Sequence, residues 1–292
     1  MLDVTILILE AATSRLVEQY RRIYGRGEPD HARTIATAVR LALERLGFSD
    51  ALYHDVEHTV MVALLGTEIL RGREIAERVT PEDWLHMTVA LLCHDVGYVR
   101  GACRGDTATE VVINAEGEKR QLPRGASDAW LTPYHVDRSK LFIHERAEIL
   151  GPVIDPERVA AAIELTRFPV PADQLYQATA NEGGLVRAAD LIGQLADPNY
   201  LRKQNALFHE LVETGSAEKL ALSSPADLSE GYVAFFWKRI EPYIGDALRY
   251  LALTAEGRQW TANLYAQVFT VEHHRWHMGA HRGAPTHPAP PA

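Results

Sequence analysis

Tyr53-His54-Asp55-Val56-Glu57-His58 and, further along, Leu91-Leu92-Cys93-His94-Asp95-Val96-Gly97 are the stretches around which this chain is organised. His54 and His58 stand four residues apart inside an apolar-periodic run, a spacing that on a helix puts both imidazoles on one face. His94 and Asp95 close a second apolar run, with a glycine two positions on. An imidazole and a carboxylate at the end of a buried helix are costly unless something binds them. A divalent cation does so, since imidazole nitrogen and carboxylate oxygen are among its common ligands. The two stretches therefore predict helices that converge on a metal centre.

The 292 residues, 47% of them hydrophobic, suffice for one large helical domain or two small ones. No apolar run approaches the roughly 20 residues of a membrane span. The Ile6–Leu9 patch follows Asp3 and leads to no cleavage-site pattern, which argues against a signal peptide. Cys93 and Cys103 make no disulfide framework, so a cytoplasmic location is the expectation. Cys93, although beside His94, reads as a small buried hydrophobe in preference to a ligand. A formal net charge of −9 with no Lys/Arg-rich block argues against broad nucleic-acid binding, whose affinity comes largely from cationic contacts to phosphates. A small phosphate-containing substrate fits that charge, because a metal supplies the positive charge locally.

Read in order, residues 1–24 form an amphipathic helix stopped by Gly25 and Gly27, and Asp30 caps a second helix that ends at Gly47. Residues 51–71 form the third helix, with His54 and His58 on it. Thr80-Pro81-Glu82-Asp83 is a strong start signal for the fourth, which delivers His94 and Asp95 at its end. Residues 100–136 break the pattern and read as a surface insertion or lid, with a small β-hairpin near 109–122 turning at Gly117. Helices follow over 137–150 (with His144), 155–166, 182–196, 197–213, 228–253 with a kink at Pro242, and 254–271. The expectation is an all-α bundle: N-terminal helices over 1–48, a catalytic domain over 49–271, and a disordered His/Pro-rich tail over 272–292.

Asp190 lies in Val186-Arg187-Ala188-Ala189-Asp190-Leu191-Ile192, where a carboxylate among apolar neighbours needs a partner. Arg187, three residues earlier, offers the plainer one, an intrahelical salt bridge. With His58 and His94-Asp95, Asp190 instead completes two imidazoles and two carboxylates from three helices, a donor set suited to a divalent cation. A histidine pair or a single His-Asp dipeptide is weak alone, as His54-Asp55 illustrates; order, spacing and helical context together carry the reading.

In these residues the chain resembles the HD superfamily of metal-dependent phosphohydrolases, and within it the catalytic domain of class I 3′,5′-cyclic-nucleotide phosphodiesterases. That family's Tyr-His-Asn-x-x-His is matched at all but its third position by Tyr53-His54-Asp55-Val56-Glu57-His58. Its His-Asp is matched by His94-Asp95 and its Ala-Asp-Leu by Ala189-Asp190-Leu191. Ser139-Lys140-Leu141-Phe142 is similar to its Ser-x-Leu-Glu, short of the last residue. Phe236-Trp237-Lys238-Arg239-Ile240-Glu241-Pro242 looks like its C-terminal Phe-x-x-x-Ile/Val-x-Pro. The likeness spans roughly residues 50–270.

The resemblance implies an HD/PDEase-type bundle holding one or two divalent ions: Mg, Mn, Zn or Fe. His58, His94, Asp95 and Asp190 would hold the first, with Asp95 bridging to a second, and His54 would be the general acid that protonates the leaving oxygen. The implied reaction is hydrolysis of a phosphoester, foremost a cyclic-nucleotide phosphodiester, by metal-activated water. The bottom-up chemistry agrees, since cations both activate water and neutralise phosphoryl oxygens, and an imidazole one turn from a ligand is placed to deliver a proton. A supporting or capping role is the alternative for His54.

Three positions depart from the family's pattern. Tyr98 stands where the family has a histidine and Phe142 where it has a glutamate, both serving a second metal's water shell. Tyr232, three before Phe235, stands where a glutamine clamps the purine, and tyrosine cannot pair bidentately with a purine edge. Tyr53, Tyr232 and Phe235 are the candidate substrate contacts. Bacterial HD relatives often carry an extra histidine on the helix after the His-Asp motif, which makes His144 the candidate ligand of a second metal. A core role is its alternative, and His135, on an expected loop, is a weaker candidate. His31, His86 and His209 read as ordinary surface or packing residues. Two rival functions stand beside hydrolysis: an HD-fold di-iron oxygenase, and a non-catalytic HD module that senses a nucleotide.

Overall fold

Helix-start signals in the sequence become real caps. Thr80 Oγ1 accepts the Asp83 N–H while the Asp83 carboxylate accepts the Thr80 N–H, a reciprocal capping box ahead of Pro81. Asp155 accepts the N–H groups of Glu157 and Arg158 ahead of Pro156, and Asn181 accepts that of Gly184. The computed structural model describes residues 4–273; it is 69% helix and 2% strand, an all-α bundle with one two-stranded sheet.

The first half runs α1 (Val4–Tyr24), α2 (Pro29–Leu46), α3 (Val56–Ala76), α4 (Pro81–Cys93), β1 (Glu110–Val112), β2 (Lys119–Gln121) and α5 (His135–Leu150). The second half runs α6 (Pro156–Glu164), α7 (Glu182–Leu195), α8 (Tyr200–Glu213), α9 (Ser216–Lys219), α10 (Pro225–Phe235), α11 (Glu241–Leu251) and α12 (Ala255–His273). At the centre α3 packs against α4, α7 and α11. One continuous apolar core joins residues from Ala12 to Val271, so α1 and α2 share it with the helices that carry the site. The expected tail over 272–292 lies, beyond His273, outside the described residues.

Among the boundaries that differ from the sequence expectation, three have a clear local cause. The third helix begins at Val56, because Asp55 is extended and its carboxylate caps the helix by accepting the His58 N–H at 2.9 Å. His54 therefore precedes the helix. The second helix is not capped by Asp30: Glu28 sits at the N-cap without a side-chain bond, Pro29 opens the helix, and Asp30 pairs with Arg33 in its first turn. The run over 228–253 is two helices. A π turn at Phe236–Ile240 separates α10 from α11, and Pro242 sits in the first turn of α11, where its missing N–H is harmless.

The insertion over 100–134 carries the hairpin. Val111 faces Arg120 in an antiparallel pair, and Gly117, at φ +77°, supplies the left-handed residue of the turn. Val111, Ile113 and Leu131 form a small core of their own. The insertion is fastened at both ends of the site. The Arg100 guanidinium donates to Asp128 and Asp50, and the Asp128 N–H donates to Asp50, the residue just ahead of the Tyr53–His58 segment. The Ser127 N–H donates to Glu213 of α8 at 2.6 Å. The insertion expected from the sequence is thus tied to the segment ahead of α3 and to α8.

Candidate metal centre

Three helices bring His58, His94 and Asp190 together, with donor atoms all within 4.8 Å of one another, and Asp95 touches both imidazoles from the turn after α4. His58 lies in the first turn of α3, His94 caps the C-terminus of α4, Asp95 starts the following 3-10 turn, and Asp190 lies midway along α7. His58 Nε2 is 3.3 Å from Asp95 Oδ2 and 3.2 Å from Asp190 Oδ1. His94 Nε2 is 3.2 Å from Asp95 Oδ2 and 3.6 Å from Asp190 Oδ1. The Leu91 carbonyl can only accept, so its 2.9 Å contact places a proton on His94 Nδ1 and leaves Nε2 to face the cluster.

A divalent cation fits these donors. His58 Nε2, His94 Nε2 and Asp95 Oδ2 are buried and, beyond these ion-pair contacts, make no well-formed hydrogen bond, an arrangement that costs free energy when nothing binds it. Ligands bound at about 2.0–2.2 Å lie about 3–3.5 Å from one another, close to the imidazole–carboxylate spacings of 3.2–3.6 Å here. Electrostatics points the same way. Burial opposes charge on His58, but Asp190 and Asp95 outweigh it and raise its pKa to about 9. Asp95 and Asp190 likewise hold His94 well above the usual histidine range against its burial. Both carboxylates are drawn below theirs by the two imidazoles, again against burial. The cluster thus favours positive charge at its centre. Arg187 does not compete for Asp190: it donates to the carbonyls of Tyr176 and Ala178 and lies over the Tyr243 ring.

A family model described as Npun_R2479-like matches residues 2–274. The chain belongs to the Npun_R2479-like family. No curated protein matches it, and no solved structure does.

In this Npun_R2479-like chain, His54 stands beside the cluster on the turn ahead of α3, its ring centroid 5.7 Å from that of His58. Its Nδ1 lies 2.6 Å from Glu210 Oε2 of α8, while Glu210 Oε1 accepts the N–H groups of Tyr53 and His54. Burial opposes charge on His54, but Glu210 outweighs it and holds the pKa above the usual value. Glu210 escapes sequence reading: it is 156 residues from His54, and an acid on an amphipathic helix reads as solvent-facing. Tyr98 lies parallel between two imidazoles, with centroids 4.3 Å from His54 and 4.4 Å from His135.

The remaining candidates divide. His135 is the first residue of α5 and not on a loop; its Nδ1 donates to the Thr132 carbonyl and its Nε2 lies 3.9 Å from Asp95 Oδ1. His144 is not brought to the centre. It lies more than two turns further along α5, its side chain is 37% exposed, and its nearest acid is Glu157 at 3.7 Å. Phe142 is fully buried in the core. Tyr53 is buried, its ring against those of His54 and His58. Tyr232 is buried too, packed on Tyr200 with its hydroxyl unpartnered, and Phe235 meets Phe168 edge to face. Cys93 is a buried thiol, pushed up to about 12 by burial, as a small hydrophobe would be. His31 and His86 are packing residues bonded to Tyr20 and to the Glu82 carbonyl, and His209 is exposed. His54, His135 and Asp190 keep 15–20% of their side chains exposed, which sets the side from which a small molecule reaches the cluster.

Proposed function

We propose that this protein is an HD-type metal-dependent phosphohydrolase that cleaves a phosphodiester or phosphomonoester of a nucleotide. The observation that carries the reading is the convergence of His58 Nε2, His94 Nε2, Asp95 Oδ2 and Asp190 Oδ1 beside an imidazole tied to a carboxylate. His58, His94, Asp95 and Asp190 would hold the divalent cation. When bound, it supplies Lewis-acid neutralisation of the phosphoryl oxygens and an activated water.

The chain's own residues do the rest. Glu210 binds His54 Nδ1, orients the ring and keeps it protonated, so that Nε2 presents a proton toward the leaving oxygen. The stacked Tyr98 ring keeps that imidazole from rotating away. Because His54 is itself 19% exposed while His58, His94 and Asp95 are buried, a phosphate group can approach His54 from the open side of the cluster.

The test is direct. Purified protein loaded in turn with Mn, Mg, Zn and Fe is offered cyclic and linear nucleotides and bis(p-nitrophenyl) phosphate. Hydrolysis that His94→Ala abolishes supports the proposal; a full panel with no turnover above buffer sinks it. A second reading, a catalytically silent nucleotide-sensing module, draws support from Tyr98, Phe142 and Tyr232, buried residues at positions where the phosphodiesterase pattern that the sequence resembles has a histidine, a glutamate and a glutamine. Unchanged biological output from His94→Ala would favour it. Iron content and oxygen consumption separate either reading from a di-iron oxygenase.

A further inference from the structure

The turn that carries Asp95 and Tyr98 is gripped from the next helix. A Cβ on Gly97 would meet the His135 carbonyl oxygen at 1.9 Å, so only glycine lets the first turn of α5 lie this close. Ser139 Oγ donates to the His94 carbonyl at 2.6 Å and accepts the Gly97 N–H at 2.8 Å. Beside it, Arg138 is fully buried. Its Nε donates to the Gly97 carbonyl at 2.7 Å and its Nη2 to the Val99 carbonyl at 2.8 Å and to Asp106 at 2.9 Å. Its Nη1 donates to Asp106 at 3.2 Å and to the Val112 carbonyl of β1. All five guanidinium N–H donors are used. Asp106 in turn accepts the N–H groups of Gly101, Cys103 and Val112.

We propose that Arg138, with Asp106 as its counter-ion, is a positioning residue of the metal centre. It fixes the backbone at Gly97 and Val99, while Ser139 holds His94, so that Asp95 faces the two ligand imidazoles and Tyr98 stays between His54 and His135. A buried ion pair is an expensive way to stabilise a core, and apolar residues of similar size often serve stability as well. What apolar residues cannot do is hydrogen-bond three carbonyls and a carboxylate at once. Lysine cannot either, because its three donors radiate from a point. The pair also makes the hairpin insertion part of the site, since Val112 and Asp106 belong to the insertion while Gly97 and Val99 belong to the His-Asp turn. The inference rests on the metal-binding half of the function proposed above and not on the substrate.

The experiment compares full-length wild type, Arg138→Lys and Asp106→Asn by three readouts. These are Mn2+ affinity by calorimetry, the ring-proton resonances of His54 and His135, and circular dichroism. The histidine signals are assigned with His54→Gln and His135→Gln. Stacking on Tyr98 holds those protons upfield in the wild type. Arg138→Lys is expected to keep its helical signal, lose about ten- to hundredfold in Mn2+ affinity, and release both histidine signals downfield. Asp106→Asn, which keeps the side-chain shape, is expected to do the same to a smaller extent and serves alone if Arg138→Lys does not fold. Folded variants with Mn2+ affinity within about twofold of wild type and unmoved histidine signals overturn the proposal. Wild type that binds Mn2+ but hydrolyses no phosphoester overturns the reaction assigned above and leaves this inference standing. Wild type that binds no divalent cation overturns both.

Discussion

His54 Nδ1 and Glu210 Oε2 lie 2.6 Å apart, bringing α8 to an imidazole on the turn ahead of α3. Glu210 raises the His54 pKa, so the protonated acid persists above pH 6.5 and is lost as pH rises through its folded value. Glu210→Gln removes that support. The alkaline limb of the pH–rate profile is expected to move to lower pH, with turnover at neutral pH falling about 10²-fold. Mn2+ affinity should stay near that of the wild type. A profile that does not move would remove His54 from the role of acid.

Cation binding should expel protons. With the His58 pKa at about 9 and His94 also raised, both imidazoles carry a proton at neutral pH that a metal must displace. Calorimetric titrations with Mn2+ at pH 7 in buffers of different ionisation enthalpy are expected to show net proton release, and affinity should climb as pH rises toward 9. Heats that are independent of buffer would contradict the assigned ligands.

The same shifts set the pH response of chelator-treated protein. A folded-state pKa of about 9 against 6.5 means that the stabilisation from charged His58 is complete below pH 6.5 and lost as pH rises through 9. The lowered carboxylates set the acid edge, their contribution disappearing as pH falls below the ordinary carboxylate range. Thermal unfolding in EDTA should therefore occur several degrees lower at pH 9.5 than at pH 6. Equal melting temperatures at the two pH values would argue against the ion pairing.

His94→Ala and His144→Ala should behave oppositely. The first removes a donor from the buried cluster and is expected to yield protein with almost no bound metal. The second changes an exposed ring facing Glu157 and should leave metal content and melting temperature as in wild type. Elemental analysis of both variants decides it, and metal loss in His144→Ala would return that residue to the site.

Gly97→Ala tests the close approach of α5. The added methyl group meets backbone atoms of His135 and Ser139, which cannot rotate aside as a side chain would. A loss of about 3 kcal/mol is expected in urea unfolding. A loss below ~1 kcal/mol would show that α5 can shift.

Caps and periodicity made most of the helices legible. Thr80-Pro81 and Asp155-Pro156 act locally, through bonds between residues two or three apart, so the sequence displays them directly. His58, His94, Asp95 and Asp190 were legible for a different reason: a polar residue inside an apolar run announces that it needs a partner. The four-residue spacing to His58 suits a helix for His54, yet Asp55 between them is the better cap. His144 shows the limit of such spacing arguments, since a helix position says nothing about which neighbour the face will meet. Glu210 and Arg138 were not legible at all. Their partners are remote in sequence, and a charged residue on an amphipathic helix carries no mark that distinguishes burial from exposure.

α3 and α4 are consecutive in the chain and α7 follows much later, yet the three meet within one small volume. Their helical content forms from local contacts, whereas the donor cluster exists only once α3, α4 and α7 have docked. A loosely packed, fully helical intermediate would give a native-like far-ultraviolet signal with no matching affinity for a cation. On the function proposed above, metal affinity would therefore gauge completed tertiary packing and report on variants whose secondary structure is intact.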